Sequence, residues 1–224
     1  MSLSDSVLAP LEPDRARLRD RFFADARRWS LGLVGGRAWR LTVGPMTVLQ
    51  FGVPEPDATG WSWPIEGGLL ARAPGGRLRI AWSAGELVAR VEGYRPLLPE
   101  PLYRLLQVPV HHLTTRLFLL RLRGRDPAPG PPAPLRRRAL ATGVDTAACL
   151  LLAGLRPRRA LAVAALYHAG FWSFGGQTPG ELAAGIRLLA ADGTRVTPGQ
   201  ALVRLLGGDA LAATAMVEAP AGPA

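Results

Sequence analysis

Lysine is absent from the chain: all 27 cationic side chains are arginine. In a sequence also rich in Ala, Leu, Gly and Pro, this reads as the composition bias of a GC-rich genome, so the high isoelectric point carries little functional meaning. The absence excludes a phosphate loop of the G-x-x-x-x-G-K-[ST] type, whose lysine reaches the phosphates. Cysteine is nearly absent as well. The single Cys149, inside an apolar run, allows no internal disulfide and no cysteine-based metal cluster, and suits a reducing compartment. Histidine numbers three, two of them adjacent at His111 and His112. Neighbours on a helix point about 100° apart and cannot both face one ion, and no H-x-x-x-H or H-E-x-x-H spacing exists. No Ser/His/Asp or Cys/His nucleophile arrangement is present. An enzyme, a metal site and a cofactor are therefore not expected.

The net charge of +10 divides into 18 Arg against 12 acids up to Asp126 and 9 Arg against 5 acids beyond it. Neither half is a concentrated polycation with interleaved aromatics, so nucleic acid is not an expected partner. Anionic lipid is the better counterpart for basic segments that flank apolar ones. The opening MSLSDSVLAPLEPDRARLRD turns charged and helical without an apolar core of signal-peptide length, so entry into a membrane is expected from within the chain.

The clearest boundary is DPAPGPPAP at residues 126–134, where repeated prolines remove backbone donors and favour a semi-rigid extended linker. Residues 1–125 read as an α+β domain, an antiparallel sheet with a long helix across or beside it. A helix is expected near residues 13–29, where Leu18, Phe22 and Phe23 recur at helical spacing. The segment 39–51, WRLTVGPMTVLQF, alternates as a strand, and 61–73 reads as another with an internal Gly pair that marks a bulge. RLRIAW and ELVARVEGY, joined by Ser83-Ala84-Gly85, form the best hairpin. A helix over 99–123 follows, with a kink or restart at Pro109. A curved sheet of this kind can enclose a small ligand, whose identity the sequence leaves open.

Residues 135–224 have a different grammar. The run 139–155 contains one charged group, Asp145, and the run 160–175 is interrupted only by His168 and Ser173. Each reaches about 25 Å as helix, the lower edge of what a bilayer span requires. A weaker run at 201–217 carries Arg204 and Asp209. The region is thus expected to be an all-α membrane domain with helices at about 138–155, 160–175 and a weak third at 200–217. Arg136 to Arg138 precede the first run and Arg156 to Arg159 include three arginines after it, which draws both ends toward the cytoplasm, together with the N-terminal domain. Trp172 and Phe174 suit an interfacial aromatic belt.

The phrase T-P-G-[E/Q] occurs twice, from Thr178 and from Thr197. Threonine as N-cap, proline at the first helical position and an acid or amide three residues on make a capping box. Between the two boxes, IRLLA and TRV around Ala191-Asp192-Gly193 predict a short hairpin, because D-G favours a tight turn.

These residues carry a resemblance. Arg138 and Asp145 in the first run, then Gly176, Gln177, Thr178, Pro179 and Gly180 after the second, then Gly185-Ile186-Arg187 and Ala191-Asp192-Gly193, resemble the RDD family of small membrane domains over about residues 135–206. The family is named for an arginine and two aspartates. Its pattern falls on Arg138 at the start of the first helix and Asp145 within it, with Asp192 the candidate for the second aspartate. The chain departs from the pattern at Glu181, where a basic residue is usual, at Ala190, where an acid is common, and in the four-residue link between the first two helices. The resemblance implies a membrane protein, involved in transport of ions or small solutes and acting as an oligomer. Arg138, Asp145, His168 and Asp192 are the candidate polar membrane site, and Gly176 to Gly180 with Arg187 the structural motif. Asp145 reads either as a relay or substrate contact or as a structural partner for Arg138, Thr142 or a neighbouring helix. His168 is placed to meet Asp145 across a helical hairpin.

Overall fold

The computed structural model describes residues 2–220. The chain divides into two compact units, Met1–Gly124 and Arg125–Ala224.

The first unit runs β1 (Leu3–Leu8), α1 (Arg15–Ala24), α2 (Ala26–Trp29), β2 (Gly35–Arg37), β3 (Arg40–Val43), β4 (Met46–Phe51), β5 (Glu55–Pro56), β6 (Gly60–Gly67), β7 (Arg77–Ser83) and β8 (Glu86–Glu92). It closes with α3 (Glu100–Leu102), a π-helical turn (Tyr103–Gln107) and α4 (Val108–Arg123). The strands form one antiparallel sheet in the order β1-β8-β7-β6-β4-β3-β2, with β5 added on β6. Hydrophobic alternation explains most of it: Leu78, Ile80 and Leu87, Ala89 point inward from β7 and β8. Onto them pack Leu18, Phe22 and Phe23 of α1, and Leu117 to Leu120 of α4. Edge-on aromatic contacts join α1 to α4, with Phe22 5.1 Å from Phe118, and α1 to the sheet, with Phe23 5.3 Å from Phe51 on β4. The β7/β8 hairpin turns at Ala84 and Gly85, both at positive φ, as right-twisted strands require.

Three local features differ from or sharpen the sequence reading. β1 is a strand although the opening reads as charged and turning helical; six residues are too few for periodicity to register, and pairing with β8 supplies the stabilisation. The segment 39–51 is two strands, broken at Gly44 with φ 56°. The Gly pair does mark a bulge, since Gln50 pairs with Gly67 but Phe51 with Ile65, leaving Glu66 extra. At Pro109 the missing N–H cannot bond the Leu105 carbonyl, and the chain answers with the π-helical turn just before α4.

The second unit comprises α5 (Leu135–Leu152), α6 (Pro157–Phe174), α7 (Pro179–Ala183), β9 (Ile186–Ala190), α8 (Pro198–Ala212) and β10 (Thr214–Glu218). It is not all-α: β9 and β10 form a two-stranded antiparallel sheet. The expected partner of IRLLA, the TRV segment, yields at once to the capping box of Thr197, so β9 pairs instead with β10. The third helix, expected to reach 217, stops at Ala212. Ala213 turns left-handed at φ 51°, and the apolar and β-branched TAMVE that follows is strand. The D-G turn itself forms, with the Gly193 amide on the Ala190 carbonyl at 2.9 Å. The proline-rich segment does not stay a free spacer: Ala133 N–H bonds the Met216 carbonyl at 3.0 Å, and Glu218 N–H bonds that of Pro131 at 3.0 Å.

Among the described residues, no single helix is long and apolar enough to cross a membrane. α5 and α6 meet the requirement only as a pair, bent by 118° at the link.

Candidate functional site

α5 buries only Ala141, Asp145 and Cys149, one residue per turn. Its buried stripe thus contains a carboxylate, while Val144, Leu151 and Leu152 on the same helix are exposed. α6 repeats the inversion: Trp172 is buried, whereas Leu161, Leu166 and Phe174 are 77%, 78% and 86% exposed. Each such leucine or phenylalanine would gain about 1.5–3 kcal/mol on leaving water, so an outer face of this kind calls for an apolar environment.

Asp145 is the centre of the inner face. Its Oδ1 accepts from Tyr167 Oη at 2.8 Å and from the Gly180 backbone N–H at 2.8 Å, and its Oδ2 accepts from Thr178 Oγ1 at 2.5 Å. Three donors satisfy both oxygens, which offsets a desolvation cost that is otherwise several kcal/mol. Two of the donors come from the T-P-G phrase. Thr178 caps α7, its hydroxyl accepting the Glu181 N–H at 3.1 Å while donating to Asp145; Glu181 completes the box by accepting Thr178 N–H at 2.9 Å. Gly180 has no room for a side chain. A Cβ there would lie 2.4 Å from the Ala141 carbonyl oxygen and 2.7 Å from Asp145 Cγ. The motif is therefore a clamp that closes on α5 as well as a helix start.

His168 stands beside the clamp. Its Nδ1 lies 2.9 Å from the Ala164 carbonyl oxygen, which assigns the hydrogen to Nδ1 and leaves Nε2 facing Asp145 Oδ2 at 3.9 Å. The next layer is Glu181, which accepts Trp172 Nε1–H at 3.0 Å. Burial pushes the Glu181 carboxyl above the usual range, opposed by the hydrogen bonds from Thr178 and Trp172 and by the charge of Arg204. Arg204 lies over the Trp172 ring at 4.8 Å and pairs with Asp209, which Arg138 also approaches at 3.8 Å. A cleft of about 560 Å³ takes in Arg138, Asp145, His168, Trp172, Glu181 and Arg204.

Of the residues singled out in the sequence, the fold therefore brings Arg138, Asp145 and His168 to one cleft. Asp192 lies elsewhere, its Oδ1 accepting Thr194 N–H at 3.1 Å and Thr194 Oγ1 at 2.7 Å across the D-G turn. Arg187 sits on β9 opposite Val217. Gly176 adopts φ 71°, and Gln177 Nε2 donates to the Ile186 carbonyl at 2.9 Å, tying the motif to β9. Trp172 is 6% exposed and donates its indole N–H to Glu181, so it belongs to the interior and not to an aromatic belt. Tyr167 and the Trp172-Glu181-Arg204 layer were missed. A signal for the clamp was available: glycine inside a helix's first turn is a poor choice unless something must approach closely.

Residues 159–216 match the RDD family. The match covers His168, the clamp motif, Arg187 and Asp192, and it begins after Arg138 and Asp145. Comparisons with curated proteins and with solved structures give no match. The RDD family is generally membrane-associated, and the match to it lies within the second unit.

Proposed function

We propose that the RDD-like unit enters the cell membrane through the bent α5–α6 pair and that its cleft binds and passes an ion or small solute. The observation that carries this reading is the inverted polarity of α5 and α6: a hydrogen-bonded carboxylate inside, leucines outside. An ionisable group in that position is costly in a membrane and is kept where it serves a polar path or a structural partner. Two short helices enclose no pathway alone, so the working unit is an oligomer in the bilayer. With arginines at the start of α5, in the link at Arg156 and at the start of α6, the N-terminal unit belongs on the cytoplasmic side. The role is binding and passage rather than catalysis.

The test is retention of the full chain in membranes through an alkaline carbonate wash, followed by flux measurements in proteoliposomes with Asp145→Asn. Retention, with flux lowered at least about tenfold by the variant, supports the proposal. Release by carbonate, or unchanged flux, sinks it.

A second reading is favoured by the shortness of the helices, neither of which suffices alone to cross a bilayer. In it the hairpin is a shallow anchor and the N-terminal unit carries the activity as a ligand-binding module.

A further inference from the structure

The curled N-terminal sheet and its helices leave a cavity of about 170 Å³, walled mainly by apolar side chains such as Leu41, Val48, Phe51, Leu78 and Val91. Among the described residues no arginine, aspartate or glutamate lines it. The polar side chains in its wall turn to the protein instead. Tyr94 Oη donates to the Leu70 carbonyl and accepts from Gln107 Nε2 at 3.2 Å, Thr114 Oγ1 donates to the Val110 carbonyl at 2.8 Å, and His111 Nε2 stands toward Asp5, 3.9 Å from its Oδ2. What the space offers an occupant is therefore apolar contact.

The cavity reaches the surface at Val110, a wall residue that is 59% exposed. Leu70 is a second wall residue with part of its surface open to solvent, and around it the apolar surface continues outward. Leu69 and Leu97 beside it are exposed, as is Met46, next to the Thr47 whose carbonyl accepts the Leu69 N–H. Single exposed leucines need no explanation, but a group that runs on from an apolar cavity marks a path for an elongated apolar molecule.

The charge at the end of that path has a definite sign. Two backbone bonds flank the Ala71–Pro96 bridge: Leu97 N–H to the Leu70 carbonyl at 2.8 Å, and Arg72 N–H to the Arg95 carbonyl at 2.9 Å. They place Leu97 beside Leu70 and Arg95 beside Arg72. Like charges opposite one another on adjacent segments are destabilising. The nearest acids along the chain do not relieve them, since Glu66, Glu92 and Glu100 engage Gln50, Arg90 and Arg104. Arg95 is exposed and Arg72 half-buried, so the pair is open to a ligand from solvent.

We infer that the cavity and this arginine pair form one binding site for a medium-chain fatty acid, its tail in the cavity and its carboxylate on Arg72 and Arg95. Benzene fills apolar cavities of about 150 Å³, so this one takes about six carbons. The two-residue step from Leu70 to Arg72, roughly 7 Å, adds a few more. Guanidinium groups suit the carboxylate because each presents planar N–H donors to its two oxygens. The inference rests on the second reading above, in which the N-terminal unit binds a ligand, and it needs neither membrane insertion nor flux.

Decanoate, decanol and hexanoate test it, since the first two differ in charge and the first and third only in length. The full chain is held in phosphatidylcholine nanodiscs, or free in buffer should it need no bilayer, so failure of membrane insertion leaves the test intact. Free probe is set by dialysis, and binding is read from the methyl NMR shifts of Val48, Leu78 and Val91. Decanoate should saturate, decanol should bind about tenfold more weakly, and hexanoate, with four fewer methylenes to bury, at least about thirtyfold more weakly. Replacing both arginines, Arg72→Gln with Arg95→Gln, should bring decanoate to within about twofold of decanol. Val91→Phe, which fills the space, should abolish decanoate binding while the remaining methyl spectrum stays native. The inference is overturned if decanoate gives no saturable shift, if decanol binds equally, if hexanoate matches decanoate, if the double variant keeps the preference for decanoate, or if Val91→Phe still binds. Equal binding of decanol would overturn the fatty acid alone and leave the N-terminal unit a ligand-binding module.

Discussion

The backbone N–H of Gly180 donates to Asp145 Oδ1 at 2.8 Å across an approach so close that no side chain fits. α7 thus docks on α5 through a glycine and a carboxylate, and each makes the other necessary. A methyl group at 180 would push against the backbone carbonyl of Ala141, which cannot swing away as a flexible side chain could. Gly180→Ala should destabilise the C-terminal unit by about 2 kcal/mol or more. Amide exchange over residues 176–183 in detergent checks this, and protection equal to the native chain would show that the contact relaxes freely.

The two capping boxes allow a controlled comparison. Thr178 and Thr197 cap their helices by the same geometry, but only the Thr178 hydroxyl also donates to Asp145. Thr197→Ala should cost about 1 kcal/mol and Thr178→Ala about 2–3 kcal/mol. In a double-mutant cycle, Thr178→Ala and Asp145→Asn should couple by about 1 kcal/mol, and additivity would mean that the bond contributes nothing.

Trp172 and Phe174 are two residues apart yet face opposite environments. In detergent, Trp172→Ala should cost about 3–5 kcal/mol, because it empties a packed site and strips Glu181 of a donor. Phe174→Ala should change stability by less than about 0.5 kcal/mol while weakening partition into vesicles. Thermal unfolding and vesicle co-sedimentation separate the two effects. Equal losses of stability would contradict the assigned faces.

Asp57 contributes to the acid-side pH dependence of the N-terminal unit. The Arg79 guanidinium, bonded to its Oδ2 at 2.6 Å, holds the carboxyl down at about 2, assisted by Thr59. A folded-state value below the unfolded one means the stabilisation is present above the unfolded value, near 3.9, and is lost as pH falls from there through about 2. Arg79 is 41% exposed, so screening reduces the contribution to about 1 kcal/mol. Asp57→Asn should lower stability at pH 7 by that amount and flatten the acid limb of unfolding between about pH 4 and 2. An unchanged acid limb would remove the pair from the account.

How much of this was legible beforehand depended on whether the signal was local. Capping boxes, the β7/β8 hairpin, the break at Pro109 and the glycine bulge all formed as read, because each is decided by the conformational limits of a few adjacent residues. The short strand β1 and the end of α8 were not legible. Their fates are set by pairing with segments tens of residues away, and five or six residues do not announce a partner. Asp145 and His168 were marked by being polar in apolar runs, and the hairpin does bring them within 3.9 Å.

The sequence alone determined that the chain has two parts, that the second is apolar outside its few polar residues, and that T-P-G starts helices. These follow from periodicity, proline and capping, which act over one or two turns. Only the tertiary structure decided that T-P-G also clamps Asp145, that Arg138 turns to Asp209, that Trp172 faces inward, and that Arg72 stands beside Arg95 near an apolar cavity. Those outcomes depend on which surfaces the packing brings within about 3 Å, the range over which a hydrogen bond discriminates one partner from another.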